Sequence, residues 1–295
     1  MTSSNPVVVG VDFSACSRTA LIRAKHMANA MSASIRVVHT LDSEVLQALS
    51  QSIGESHALT VQNAVTDATT RLQAFAAGFA EAAECKVRVG SPADELLAES
   101  TACGAKLLVL GVYGVGGNIG GGAGSFASAC VRQAPCDVAL IDEKAAADPR
   151  VIVVGYDFSP TCVKALGFAA TLAAATNAEL HLLHAYTPPW KQLHYRSPTP
   201  TTSAPQRTQF VDALRERLAR SAKDHAAGAR TTVVLLESDS TGGGLTDYAQ
   251  KVGADLVIMG KRGKRSKLSR FVLGSTAERL LRKLPTSVVA VSSAE

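Results

Sequence analysis

Two loops of the chain share one pattern: two glycines separated by two residues, a gap of nine or ten residues, and then a Gly-Ser pair. The pattern occupies Gly111, Gly114, Gly124 and Ser125 in the first loop, and Gly260, Gly263, Gly274 and Ser275 in the second. Glycine lets the backbone approach an anion closely, and the N–H groups at the start of a helix favour negative charge. The pattern therefore predicts phosphate binding. In the alternative interpretation, the glycines only turn the chain and each serine only caps a helix.

Neither loop follows the commonest nucleotide-binding patterns. The sequence G-x-x-x-x-G-K-[ST] does not occur in the chain, and a dinucleotide fingerprint should follow a first strand rather than a late one. The loops also differ in charge. The first has no cation, whereas the second carries Lys261, Arg262, Lys264, Arg265, Lys267 and Arg270. These cations either favour a triphosphate or form a solvated surface.

An internal repeat places the two loops in equivalent parts of two domains. Residues 9–14 (Val-Gly-Val-Asp-Phe-Ser) return as residues 154–159 (Val-Gly-Tyr-Asp-Phe-Ser), an offset of 145. The strand before each loop and the Gly-Ser pair recur at offsets of 149 and 150, so small insertions separate the copies. We therefore predict two tandem domains, residues 1–146 and 147–295.

Each copy alternates strands with helices. Apolar runs at 7–11 and 151–156 are typical of strands that are buried on both faces. Each run precedes a helix with alanines at i, i+4 spacing, and a second strand follows. The predicted order then continues with an irregular stretch, a helix, a short strand and another helix. The strand before the glycine loop, a final helix and a closing strand complete each copy. The alternation predicts an α/β fold of two doubly wound parallel sheets, with ligands at the carboxyl ends of the strands.

Together these features resemble the universal stress protein family. The family pattern is G, two residues, G, nine residues and G-[ST] after the fourth strand, with V-G-x-D in the first strand and an L-H-V type of ending in the second. Here V-G-x-D lies at 9–12 and 154–157, and the second-strand endings lie at 38–40 and 183–185. The resemblance covers nearly the whole chain, twice. It implies a tandem universal stress protein with Rossmann-like domains that bind ATP, ADP or AMP, with or without Mg²⁺, in a stress-response or signalling role.

The resemblance also assigns binding residues by position. Asp12 and Asp157 would lie near the adenine and ribose, and the backbones of Thr40 and Ala185 would contact the adenine. The alternative role for each Asp is to cap the first helix or the end of the strand. The loops would hold the ribose and phosphates. The predicted set is Asp12, Thr40, Gly111, Gly114, Gly124 and Ser125 in the first domain, and Asp157, Ala185, Gly260, Lys261, Gly263, Lys264, Gly274, Ser275 and Thr276 in the second.

Both loops depart from the family pattern. The first keeps the spacing, but its residues 115–123 are rich in glycine and lack the leucines that usually pack before Gly-Ser. Such a loop loses much backbone entropy when it is ordered. The second has one additional residue, yet it keeps Leu268 and Leu273 and carries the cations. We therefore expect the second domain to be the better nucleotide site; the alternatives are occupation of both domains or of the first alone.

Composition restricts the compartment and the partners. Residues 1–148 carry 10 Lys and Arg against 14 Asp and Glu, whereas residues 149–295 carry 20 against 11. No apolar run reaches the roughly 20 residues that a membrane helix needs, and the N-terminus does not read as a signal peptide, so we expect a cytoplasmic protein.

Trp190 and Tyr195 in the Pro-rich loop 188–205 are only weak support for nucleic-acid binding. Antiparallel pairing of residues 138–141 with 288–291 would join the two copies, and the resemblance adds a homodimer and unidentified protein partners.

The remaining polar candidates have structural interpretations. None of the six cysteines forms C-x-x-C, which favours buried thiols over a metal site. His39 and His184 end buried strands and are expected to form structural hydrogen bonds. No pair of catalytic residues is evident, so we expect a binding protein rather than a metabolic enzyme. The alternatives are a slow ATPase that uses Asp12 or Asp157, and an interaction scaffold that binds no nucleotide.

Overall fold

Strands and helices alternate in both halves of the chain, of which the computed structural model describes residues 5–79, 83–114, 122–191, 203–262 and 273–293. The elements of the first half are β1 (Val7–Gly10), α1 (Ala15–Ala30), β2 (Ile35–Asp42), α2 (Ser43–Ile53), α3 (His57–Ala77), β3 (Glu84–Gly90), α4 (Pro92–Ala102), β4 (Leu107–Gly111), α5 (Ser125–Gln133) and β5 (Asp137–Ile141). Those of the second half are β6 (Val151–Gly155), α6 (Pro160–Thr176), β7 (Glu179–Tyr186), a 3-10 turn (Pro189–Lys191), α7 (Ala204–His225), β8 (Arg230–Glu237), α8 (Thr241–Lys251), β9 (Leu256–Gly260), α9 (Ser275–Arg282) and β10 (Ser287–Val291).

The chain divides into two compact units. The first comprises the chain up to Asp148 together with Ser287–Ala290, and the second comprises Pro149–Thr286 together with the residues from Val291 onward. Within the first unit, β10 runs antiparallel to β5, with Val289 opposite Ala139. This is the strand pairing that the sequence predicts for residues 138–141 and 288–291.

The rest of the first sheet is parallel, in the order β3-β2-β1-β4-β5. Val7, Val8 and Val9 have no exposed surface, as predicted for a strand buried on both faces. The strand order reverses between β1 and β4, and such a switch point opens a crevice at the carboxyl ends of the strands. The first-strand motif and the glycine loop, which are distant in sequence, therefore meet at this crevice.

The second unit repeats this arrangement with parallel strands in the order β9-β6-β7-β8. Its switch point lies between β6 and β9, where Ile152 is opposite Leu256. The predicted fold class, two tandem doubly wound α/β domains, is confirmed.

The alanine stripes of α1 and α6 pack these helices onto the sheets, as predicted. Each stripe is at most 1% exposed and comprises Ala20, Ala24 and Ala28 in α1, and Ala165, Ala169 and Ala173 in α6. Both helices begin with a serine cap: the Ser14 hydroxyl accepts from the Ser17 N–H at 3.1 Å, and Ser159 accepts from the Cys162 N–H at 3.2 Å. These caps fix the direction of the turn that carries Asp12 or Asp157.

The stretch after β2 is helical rather than irregular, which corrects the sequence-based expectation. Asp42 caps α2 by accepting from the Glu44 N–H at 2.8 Å, and Gly54 ends it with a left-handed φ of 69°. In the second half, most of the predicted Pro-rich loop, residues 192–202, lies outside the described residues. None of the described helices is long and apolar enough to cross a bilayer.

Candidate functional site

A cavity of about 750 Å³ opens at the carboxyl ends of β6, β7 and β9 in the second domain. Its position coincides with the switch point of the sheet, where open α/β sheets bind ligands. Six of the predicted residues line it: Asp157, Ala185, Gly260, Gly274, Ser275 and Thr276. These six residues, which were predicted from four separate segments of the chain, therefore lie around one cavity.

The carboxylates of Asp157 and Asp12 both cap the turn that follows the first strand. Oδ1 of Asp157 accepts from the Ser159 N–H at 2.9 Å. Oδ1 of Asp12 accepts from the Ser14 N–H at 3.0 Å and from the Ser14 hydroxyl at 2.6 Å. The capping role that the sequence left open is therefore present. It does not exclude a ligand role, because Asp157 also lines the cavity.

Phe158 holds a backbone conformation that is unusual for a bulky residue. Its φ is 63°, in the left-handed region, and the equivalent Phe13 has a φ of 64°. The Phe158 ring lies 4.8 Å from the His184 ring and 5.2 Å from the Tyr156 ring, centroid to centroid. Left-handed non-glycine residues persist only where their surroundings hold them, and they cluster at functional sites.

His184 and His39 form the structural hydrogen bonds that the sequence predicts. Nδ1 of His184 lies 2.7 Å from the carbonyl oxygen of Tyr156, and Nδ1 of His39 lies 2.7 Å from that of Val11. A carbonyl only accepts, so Nδ1 carries the proton in both rings. Burial lowers the pKa of His184, against the raising effects of the Tyr156 carbonyl and Asp157. A neutral ring therefore borders the cavity at neutral pH.

The N-terminus of α9 opens at the cavity without a side-chain cap. Gly274 occupies the N-cap position, and its carbonyl accepts the first helical hydrogen bond from the Glu278 N–H at 3.0 Å. Ser275 is then the first helical residue, so it does not cap the helix. The first-turn N–H groups of such a helix have no intrahelical partners and favour an anion. In the first domain, Gly124 and Ser125 take the same positions at the start of α5.

The predicted cations have different environments. Lys261 is 6% exposed and is not among the residues that line the cavity, whereas its neighbour Arg262 is. The Lys261 N–H donates to the Val291 carbonyl at 2.7 Å, which resembles the bond from Val112 to Ile141 at 3.0 Å in the first domain. Gly263 and Lys264, like the other loop cations, lie outside the described residues.

In the first domain, the structure brings Asp12 and Gly114 together. A Cβ built on Gly114 would lie 2.8 Å from Oδ2 of Asp12. Gly111 instead meets helix α1, because its Cβ would lie 2.8 Å from the Cys16 sulfur. Close packing therefore accounts for Gly111, while Gly114 leaves room for the carboxylate. Thr40 lies in β2 and pairs with Arg88 of β3.

Sequence reasoning missed an aromatic and cationic wall of the cavity. Besides Phe158, this wall contains Tyr186, Phe210 and Arg217. Arg217 of α7 and Arg71 of α3 are repeats at an offset of 146, so the internal repeat was a signal that could have identified them. Within the described part of the chain, no group of three His, Cys, Asp or Glu side chains could hold a metal ion.

Comparison with known proteins gives one consistent result. The sequence pattern of the universal stress protein family matches residues 4–142 and again residues 149–292. A universal stress protein from Archaeoglobus fulgidus shares 17% identity over 100% of both chains, with a TM-score of 0.64. A putative universal stress protein from Pseudomonas aeruginosa shares 15% identity over 98% of this chain and 93% of its own, with a TM-score of 0.65. At these identities the likeness shows the fold. The curated protein sequences gave no match.

Proposed function

The chain belongs to the universal stress protein family, and from this premise we propose that its second domain binds an adenine nucleotide, ATP, ADP or AMP, in the cavity described above. Binding would serve a regulatory role in a stress response rather than metabolic turnover. The observation that carries the proposal is the uncapped N-terminus of α9 at the same cavity as Asp157 and Ala185.

The chemistry of the cavity supports an anionic ligand with an aromatic group. Among the described residues that line it, Arg217 and Arg262 outnumber one carboxylate, that of Asp157, and the first turn of α9 favours phosphate. Aromatic and aliphatic side chains such as Phe158, Phe210 and Leu245 form much of the remaining lining, as is usual in cofactor sites. Mg²⁺ prefers phosphate and carboxylate oxygens, so it would accompany the phosphates, and Asp157 lines the same cavity.

Isothermal titration calorimetry of the full chain with ATP, ADP and AMP tests this proposal. The repeat supplies a matched pair of variants, Ser275→Glu in α9 and Ser125→Glu in α5. A glutamate in the first turn stabilises a helix, so neither variant should impair folding. At the cavity, however, its charge should repel phosphate.

We expect micromolar or tighter binding to the wild-type protein, a loss of at least about tenfold in Ser275→Glu, and little change in Ser125→Glu. No heat of binding at millimolar ATP would contradict the proposal. A loss of nucleotide affinity in Ser125→Glu but not in Ser275→Glu would indicate that the nucleotide binds in the first domain instead.

A further inference from the structure

An arginine covers the ring of Phe158 at the second-domain cavity. The guanidinium carbon of Arg217 lies 4.0 Å from the centroid of the Phe158 ring, and both residues line the cavity. Arg217 extends from α7, which packs against β7 and β8. Within the described residues, no carboxylate forms an ion pair with this guanidinium. Arg217 lines the cavity, where a bound ligand would meet it.

The first domain contains the same pair. The guanidinium carbon of Arg71 lies 4.4 Å from the centroid of the Phe13 ring, and Arg71 belongs to α3. Both phenylalanines have a left-handed φ and both rings contact the histidine at the end of the second strand. Two domains that differ in their glycine loops have retained this arrangement, including its costly backbone conformation. Packing alone would not require a strained aromatic residue at both places.

The position of the pair identifies the part of a ligand that it would meet. Phe158 follows β6 and His184 lies near the end of β7, whereas α9 follows β9 on the other side of β6. A ligand with its phosphates at the N-terminus of α9 therefore directs its other end towards Arg217. A guanidinium is planar and weakly hydrated, and it stacks on aromatic faces.

We propose that Arg217 is a specificity-determining residue that stacks on the purine base, with Phe158 supporting its guanidinium. This inference rests on the proposed nucleotide function. Arg217 would then select for a flat aromatic base, while the phosphates are held elsewhere. Affinity for the base should depend on the plane of the guanidinium and not only on its charge.

Calorimetry of the full chain with adenosine, AMP and ribose 5-phosphate tests this role. Arg217→Leu should weaken the affinity for adenosine and the affinity for AMP by the same factor, about tenfold. The affinity for ribose 5-phosphate should not change. Arg217→Lys keeps the positive charge but not the planar guanidinium, so it should lose most of the affinity for adenosine and AMP that Arg217→Leu loses. Arg215→Leu is the matched control, because Arg215 pairs with Asp212 at 3.0 Å and does not line the cavity.

Three results would overturn the proposal. Unchanged adenosine and AMP binding in Arg217→Leu would show that the residue does not touch the ligand. Weaker binding of AMP with unchanged binding of adenosine would assign Arg217 to the phosphate. Full rescue of adenosine binding by lysine would show that the charge of the side chain, and not the plane of its guanidinium, meets the base. Failure of the wild-type protein to bind any of the nucleotides would be a separate outcome, which removes the proposed function itself. Circular dichroism spectra of each variant confirm that it is folded.

Discussion

Oδ2 of Asp12 lies 2.8 Å from the position that a Cβ atom would occupy at Gly114. A side chain at position 114 would therefore compete with the Asp12 carboxylate for the same space. The other carboxylate oxygen, Oδ1, is held by the N–H and hydroxyl groups of Ser14, so the carboxylate cannot turn away without losing these hydrogen bonds. Glycine at position 114 therefore leaves room for the Asp12 carboxylate in this position.

This contact predicts strong coupling between the two positions. Gly114→Ala should lower the free energy of unfolding by about 1 kcal/mol, because the new methyl group displaces the Asp12 carboxylate. In an Asp12→Ala background the oxygen is gone, and the same change should be neutral or stabilise by a few tenths of a kcal/mol. Urea unfolding of the two single variants and the double variant measures the coupling. Additive effects would mean that the two side chains do not compete for this space.

A second prediction concerns the backbone of Phe158. Phe158→Ala should lower the free energy of unfolding by about 2 kcal/mol through lost ring contacts. Phe158→Gly should cost about 1 kcal/mol less than alanine, because glycine adopts a φ of 63° without a steric penalty. Tyr156, which is buried and has no left-handed φ, is the control and should show the opposite order, with glycine the worse replacement. Denaturant unfolding measures all four variants, and the same order at both sites would contradict the assigned strain.

The thiol of Cys162 should be unreactive at moderate pH. Burial raises its pKa from 9.0 to about 11, so only about 0.1% is thiolate at pH 8. We expect iodoacetamide to label Cys162 slowly in the folded protein at pH 8, and faster as the pH approaches 11. Peptide mapping by mass spectrometry measures the rate, and urea-unfolded protein is the control. Equal rates in the folded and unfolded protein at pH 8 would contradict the burial of this thiol.

Protonation of His184 should destabilise the second domain. Burial lowers the pKa of His184 below its ordinary value of 6.5, so the unfolded chain binds this proton more readily than the folded protein. The contribution of His184 to stability is therefore complete above pH 6.5 and is lost as the pH falls from there through the folded pKa. Urea unfolding at pH 7.5 and 5.5 should show a smaller loss in His184→Asn than in the wild-type protein. Equal losses would indicate that His184 titrates normally.

Buried Glu99 of α4 should be a major electrostatic contributor to the first domain. It is 1% exposed and pairs with Arg36 at 2.7 Å and with Lys86 at 2.8 Å. Burial alone would raise its pKa, but hydrogen bonds and charge from Lys86 and Arg36 lower it overall.

Glu99→Gln should therefore cost about 2 kcal/mol at pH 7, because it removes the buried negative charge that pairs with both Lys86 and Arg36. The difference from wild type should disappear as the pH falls through the folded pKa of Glu99. Glu84→Gln is the matched control, because Glu84 also pairs with Arg36, at 2.6 Å. The Glu84 side chain is 58% exposed, so this substitution should cost well under about 1 kcal/mol. Urea unfolding compares the two, and equal costs would contradict the buried pair.

Much of the candidate site followed from repeated motifs. The alanine stripes, both histidine hydrogen bonds and the association of Asp157 with Gly260 and Gly274 agree with expectation. The helical character of α2 was missed, although Asp42 and Gly54 were the signals for its two ends. Lys261 was predicted beside the phosphates because of its charge, but its neighbour Arg262 lines the cavity instead. Charge in a sequence does not reveal which side chain of a turn faces inward.

The sequence by itself determined the repeat, the alternation of strands and helices, and the spacing of glycine, aspartate and serine in each copy. These are local properties, because periodicity and turn chemistry act over a few residues. Only the tertiary structure decided that Arg217 covers Phe158 and that the Asp12 carboxylate lies beside Gly114. Such contacts depend on which strands become neighbours at the switch point and on how closely the helices pack there, and no local pattern encodes either distance.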